Sequence, residues 1–287
     1  MNEMTGKVCI VTGSNSGIGK ETALGLAQMG AHAVMVVRNM GRGGKARAEI
    51  INKSGNRSID LMNCDLSLMN SIRKFAEEFR GKYDRLDVLI NNAGAAFNSR
   101  EVTIEGLERT LAVDYFGPFL LTHELLPLLK SSAPSRIINL SSGLQKNGQV
   151  DLDGLKGEKE FDHSGPSVYA NAKLMVTMFT YELARQLEGT GVTANVVLPG
   201  FVATNLGINS GSLVSSIMFK LFRPMQVSPK KGAETSLYMA SSEDVSNVTG
   251  KCFSKKQEKT TPQISQDRQL QKQLWEKTLE VLGLTSY

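Results

Sequence analysis

Short, unbroken apolar runs alternate with longer stretches of helical spacing along the chain. Lys7 to Thr12, Ala33 to Val37, Ser58 to Asn63, Asp87 to Ile90, Arg136 to Leu140 and Val192 to Val197 have the length and content of buried strands. Helical patterns fall between them, the longest over Thr103 to Lys130 and from Ser167 to near Gln186. Strands that alternate with helices predict an α/β protein with a doubly wound, mostly parallel sheet and helices on both faces. The pattern covers residues 1–287 as one domain, without an internal repeat, a linker or a low-complexity segment.

The first strand pattern runs directly into Gly13-Ser14-Asn15-Ser16-Gly17-Ile18-Gly19 and then a helical run to Gly30. Strand, glycine loop and helix present backbone N–H groups and a helix N-terminus to a diphosphate, the arrangement of a Rossmann dinucleotide site. The second strand ends in Val37-Arg38-Asn39, where a NAD-selective site usually places an acidic residue for the ribose 2′-hydroxyl. A guanidinium suits a 2′-phosphate instead, so Arg38 favours NADP(H) over NAD(H). Asp65, before Leu66, is placed either to meet the adenine or to cap the following helix, and both readings stand. Asn91-Asn92-Ala93-Gly94 follows the fourth strand at a carboxyl end, where open α/β sheets bind ligands.

Composition narrows the classes. Hydrophobic residues make up 41% and charged residues 21%, which fits a globular chain rather than a disordered one. The net charge is +5, but the basic residues are dispersed. Their one cluster, Lys251, Lys255, Lys256 and Lys259, has no aromatic platform and reads as a solvated face rather than a nucleic-acid site. Three scattered cysteines, Cys9, Cys64 and Cys252, suggest neither a disulfide framework nor a metal site, and favour a reducing, cytoplasmic setting. His123-Glu124 starts like a zinc motif, but Pro127 stands where the second histidine belongs, so no metal is expected. Met1 to Lys7 is polar, unlike a signal peptide or an anchor, and no run is apolar for long enough to predict a spanning helix.

Tyr169 and Lys173 lie four residues apart, on one face of the predicted helix. A nearby cation favours a phenolate and lowers its pKa, so the pair reads as a tuned acid/base. Ser142 follows the fifth strand, and the glycine loop follows the first, so these groups can converge at one edge of the sheet.

Together, Thr12-Gly13-xxx-Gly17-x-Gly19, Asn91-Asn92-Ala93-Gly94, Ser142, Tyr169-xxx-Lys173 and Pro199-Gly200-xxx-Thr204 resemble the short-chain dehydrogenases/reductases. Within that family the chain is most similar to the retinol dehydrogenase group. Val37-Arg38-Asn39, the gap of about 27 residues between Ser142 and Tyr169, Ser228 to Ser236, Thr249 to Ser254 and the stretch from Leu274 to Leu284 carry this likeness. The resemblance implies hydride exchange between a nicotinamide cofactor and a carbonyl or alcohol. It implies Tyr169 as proton donor and acceptor, Ser142 as the hydroxyl on the substrate oxygen, and Lys173 as the cation that lowers the Tyr169 pKa and binds the nicotinamide ribose. The implied cofactor contacts are the loop from Gly13 to Gly19, Arg38, Asp65, Leu66, Asn91, Ala93, Gly94, Tyr169, Lys173, Pro199, Gly200, Val202 and Thr204. The family often has an Asn before the Ser strand, and here the matching position is Asp114. Asp can replace it if the backbone carbonyl carries the relay; if the amide is needed, the relay suffers.

Substrate choice is expected in residues 201–228, where Leu213, Val214, Ile217, Met218, Leu221 and Phe222 recur on one helical face. Three readings stand: a lid over an apolar, retinal-like substrate, a plain packed helix, or a weak membrane-surface contact. Residues from about 255 to 287 form a C-terminal extension. The resemblance further implies a homodimer or homotetramer built through the Thr103 to Lys130 and Val168 to Gln186 helices, although one subunit can bury their apolar surface alone. The alternative to an enzyme is a cofactor-binding regulator or scaffold of the same fold.

Overall fold

The structure is a computed structural model in which residues 4–97, 99–157, 165–200 and 227–285 are described. Strand β1 (Val8–Thr12) is buried at every position, as are nearly all positions of β2 (His32–Val37) and β5 (Ser135–Leu140). Such runs do not alternate because helices cover both faces of a parallel sheet. With β3 (Ile59–Asn63), β4 (Val88–Asn91), β6 (Val192–Val197), β7 (Cys252–Ser254) and β8 (Gln257–Glu258), the sheet order is β3-β2-β1-β4-β5-β6-β7-β8. All pairings are parallel except β7 with β8. The chain winds outward from β1 to β3 and then returns to the other side of β1 at β4. That reversal opens a crevice at the carboxyl ends of β1 and β4, where such sheets bind ligands.

One face carries α1 (Gly17–Gln28) and α2 (Met40–Ser54). The other carries α3 (Met69–Lys82), α5 (Gly117–Ser131) and α6 (Gly165–Gln186). Helix α7 (Pro229–Ser241) packs on α1, where Gly25 leaves room for Leu237: a Cβ on Gly25 would lie 2.4 Å from its Cδ1. The helix expected from Thr103 begins instead at α4 (Arg109–Leu111). Before it, Thr103 N–H bonds the Leu107 carbonyl at 2.8 Å and Gly106 takes φ +79°, which forms a turn rather than a helix. A π-helical turn, Ala112–Phe116, then joins α4 to α5.

The C-terminal extension belongs to the main core. Helix α8 (Arg268–Leu282) is capped by Asp267, which accepts from Gln269 N–H at 2.9 Å and Leu270 N–H at 3.0 Å, and it ends at Gly283 with φ +62°. It buries Leu274, Trp275, Leu279 and Leu282. Trp275 stacks 5.9 Å from Phe179 of α6 and lies 4.9 Å from Phe119 of α5. Residues 170–184 of α6 are consequently all buried inside one chain. Among the described residues, this helix therefore offers no exposed apolar face for the subunit contact expected through it. No helix among the described residues is long and apolar enough to cross a membrane.

Candidate active site

The crevice at β1 and β4 is a cleft of about 900 Å³. One wall is the glycine loop. Gly13 and Gly17 take φ of +67° and +56°, and a Cβ on Gly13 would stand 2.9 Å from the Ala93 Cα. Thr12 fixes the opposite wall: its hydroxyl accepts the N–H groups of Asn92 and Ala93, both at 3.0 Å, and its carbonyl accepts the Asn92 amide at 2.7 Å. Helix α1 starts at Gly17 on the glycine-loop wall, and its first-turn N–H groups have no intrahelical acceptor. An anion is the natural partner of such a helix end.

At the β2 end the wall holds Arg38, Arg42 and Lys45. Among the described residues none of the three pairs with a carboxylate, whereas Glu49 in the same wall is bonded to Lys20 at 2.9 Å. Asn39 caps α2 by accepting the Arg42 N–H at 2.9 Å, which places Arg42 one turn beyond Arg38. Leu66 and Asp65 form the neighbouring wall. Asp65 Oδ1 accepts from the Ser67 N–H at 2.9 Å and the Ser67 hydroxyl at 2.7 Å, so it orders its own turn while facing the cleft. The first turn of α3 is served by Glu105, which accepts the Met69 N–H at 2.9 Å.

At the other end the cleft reaches Gly94, Ala95, Ala96, Phe97 and Val113. Directly behind Gly94 stands a fully buried ion pair, Lys173 Nζ to Asp114 Oδ1 at 2.8 Å. A Cβ on Gly94 would lie 2.7 Å from Asp114 Oδ1 and 3.3 Å from Lys173 Nζ. Ala95 N–H donates to Asp114 Oδ2 at 3.0 Å, and Lys173 also donates to the Leu140 carbonyl at 3.2 Å. Lys173 lies 5.4 Å from the centre of the Tyr169 ring. The Ser142 side chain stands close enough to the Tyr169 phenol to favour its ionised form, which completes a Ser–Tyr–Lys group.

The family model for short chain dehydrogenase matches residues 7–212, most of the chain. The chain belongs to that family. Human retinol dehydrogenase 13 is 37% identical over 283 residues, covering 97% of this chain and 85% of that protein. Mouse retinol dehydrogenase 11 is 40% identical over 285 residues, covering 98% and 88%. A solved structure of an uncharacterized protein from Mycobacterium paratuberculosis is similar with a TM-score of 0.79 at 26% identity, over 98% of this chain and 94% of that one. The protein is thus an oxidoreductase of the retinol dehydrogenase-like group, and its cleft fits the nicotinamide dinucleotide on which short-chain dehydrogenases work.

In this short-chain dehydrogenase several residues stand differently from expectation. Asn91 turns from the cleft: its amide donates to Thr122 Oγ1 at 3.0 Å and Asn139 Oδ1 at 2.7 Å, inside the core. Asn92 takes the place on the wall. Ser14 is also fully buried, its hydroxyl without a partner among the described residues, whereas Asn15, Ser16 and Ile18 line the cleft. Pro199 and Gly200 close the end of β6, with Gly200 at φ +83°, while Val202, Thr204 and residues 201–226 of the expected lid lie outside the described residues.

The electrostatics of the dehydrogenase also differ. Burial raises the Tyr169 phenol above its ordinary pKa; Lys173 pulls it down, Asp114 pushes it up, and burial prevails. Burial likewise raises Asp114, against the pull of Lys173. For Lys173 burial acts the other way, yet Asp114 and Tyr169 together hold the ammonium above its usual value. Lys173 does oppose the rise at Tyr169, but it does not bring the phenol below its ordinary pKa.

Gly19 supplies a direct check on the cofactor wall. A Cβ there would stand 2.4 Å from Asn92 Nδ2 and 2.6 Å from the Gly13 carbonyl oxygen, which is backbone. Gly19→Ala is expected to weaken dinucleotide binding by about tenfold or more, because both walls must shift. Calorimetric titration of the pure protein measures this; unchanged affinity would remove the glycine loop from the binding site.

Proposed function

We propose that the protein is an NADP(H)-dependent oxidoreductase that interconverts a lipophilic aldehyde or ketone and its alcohol, with Tyr169 as the acid/base. One observation carries the cofactor choice: Arg38, Arg42 and Lys45 stand on the wall that follows β2 with no carboxylate partner among the described residues. Three cations without carboxylates favour a phosphate on the adenosine ribose over a bare hydroxyl. The exposed Leu144, two residues after Ser142, and Ala96 and Phe97 at the Gly94 end of the cleft give the substrate an apolar approach. Relatives named for retinol support the same substrate class.

The glycine loop and the first turn of α1 would hold the pyrophosphate, the three cations the adenosine end, and Lys173 the nicotinamide ribose. When bound, the nicotinamide supplies the hydride in reduction and accepts it in oxidation. Ser142 holds the substrate oxygen and stabilises its developing charge. Tyr169 gives that oxygen its proton during carbonyl reduction and takes it back during alcohol oxidation.

Mixing the pure protein with NADPH or NADH and a panel of aldehydes and ketones, followed by cofactor absorbance, tests the reading. Turnover with apolar carbonyls and NADPH is expected, and Arg38→Ala should raise the KM for NADPH by about tenfold while changing that for NADH little. Equal use of both cofactors by parent and variant would overturn the NADP choice. Activity confined to small, polar carbonyls would overturn the lipophilic substrate, and no turnover at all would leave the scaffold reading.

A further inference from the structure

The Lys173 ammonium meets two groups of opposite demand. It touches the Asp114 carboxylate at 2.8 Å, and it stands 5.4 Å from the Tyr169 ring centre. Coulomb attraction falls with separation, so a cation paired at contact with an anion presents its more distant neighbour with a dipole rather than a unit charge.

Asp114 is held so that the pairing persists. Its side chain is fully buried, Ala95 N–H occupies its second oxygen, and the first lies where a Cβ on Gly94 would come within 2.7 Å of it, leaving room for glycine alone. The next residue anchors the π-helical turn from the other side. The Tyr115 hydroxyl bonds Thr278 Oγ1 of α8 at 2.6 Å, and since that threonine gives its own hydrogen to the Leu274 carbonyl at 2.7 Å, Tyr115 is the donor. The C-terminal helix therefore clamps the turn that carries Asp114.

We propose that Asp114 is a positioning residue which, through its contact with Lys173, cancels most of that cation's charge at Tyr169, so that the phenol keeps its proton through neutral pH and the site favours protonating a carbonyl oxygen over deprotonating an alcohol. This rests on the oxidoreductase reading above. Other charges around the pair work in the same direction or are spent. Glu108 of the segment before α4 is buried near Asp114 and accepts from Leu111 N–H at 2.9 Å and the Thr110 hydroxyl at 3.1 Å. Arg109 is paired with Glu101. The loop after β4, Asn92 to Phe97, carries no charge, the segment after β5 contributes the neutral Ser142, and α6 contributes Tyr169 and Lys173.

The test reads Tyr169 itself, without turnover. Tyrosinate absorbance is titrated in the parent and in Tyr169→Phe, and the difference isolates Tyr169; the same pair is then made on Asp114→Asn. That substitution is nearly isosteric and leaves Lys173 uncompensated, so the Tyr169 pKa is expected to fall by about one unit or more. Alcohol oxidation needs the Tyr169 phenolate, so the ascending, acid-side limb of its pH profile should move to lower pH by the same amount, raising oxidation relative to reduction at neutral pH. An unmoved titration would overturn the proposal. Should Asp114→Asn not fold, the neutral pair Asp114→Asn/Lys173→Met decides: if the parental charges cancel, its Tyr169 titrates within about half a unit of the parent, and a rise of about a unit or more would show that the Lys173 charge dominates. Because neither titration needs a substrate, a protein inactive on every carbonyl would defeat the oxidoreductase reading and still leave the Asp114 result standing.

Discussion

Tyr169→Phe is expected to lower turnover by about 10²-fold or more while NADPH affinity stays within about twofold of the parent. The substitution removes one oxygen and keeps the ring over Lys173, 5.4 Å from its Nζ. Packing should persist, and the walls that would hold the dinucleotide are built from the glycine loop, the segment after β2 and the Asn92 to Gly94 turn, none of which depends on the Tyr169 oxygen. What disappears is the proton for the substrate oxygen and the phenol's interaction with Ser142. Steady-state rates with an apolar aldehyde, set beside calorimetric NADPH titrations, measure the two effects separately. Parent-like turnover would remove Tyr169 from the acid/base role, and a large fall in affinity would make it a binding residue instead.

Lys173→Met should both abolish most activity and destabilise the fold by about 3–5 kcal/mol, because it leaves the fully buried Asp114 carboxylate without its cation. Ala95 N–H still serves one oxygen, but one backbone donor does not balance a buried charge. The pH dependence has a definite sign. Burial already raises the Asp114 pKa, and losing Lys173 raises it further, so the folded state binds a proton more tightly than the unfolded chain. The stability loss is therefore largest above the raised folded pKa, shrinks as pH falls through it, and is smallest below about 3.9, where both states are protonated. Urea unfolding of the variant across that range should show a lower midpoint at neutral pH that approaches the parent's in acid. Adding Asp114→Asn should recover most of the lost stability but not the activity. An Lys173→Met midpoint equal to the parent's at neutral pH would show that the pair is not the buried ion pair described here.

The family likeness and much of the site were legible because they rest on local rules. A buried strand, a loop of three glycines and a helix start lie consecutively in the chain, and Tyr169 and Lys173 share a helix face by spacing alone. Arg38 was visible as a cation where an acid was expected. Arg42 and Lys45 were overlooked, although their spacing of four and then three residues places them beside Arg38 once α2 is known to begin at Met40. Ser14 and Asn91 lie in readable motifs, but their side chains point inward, and the motif alone could not tell Asn91 from Asn92.

Residue order thus determined the elements, the glycine loop and the helical juxtaposition of Tyr169 with Lys173, since each depends on residues a few positions apart. Strand order, the burial of α6 beneath α8, the anchoring of Tyr115 by Thr278 and the contact of Lys173 with Asp114 join residues 59 to 163 or more positions apart, or elements not adjacent in sequence. The tertiary structure also decided the sign of the Tyr169 shift. A cation four residues away predicts a lowered phenol pKa, but desolvation and a carboxylate from a distant turn act on the same group, and both arise only when the chain packs.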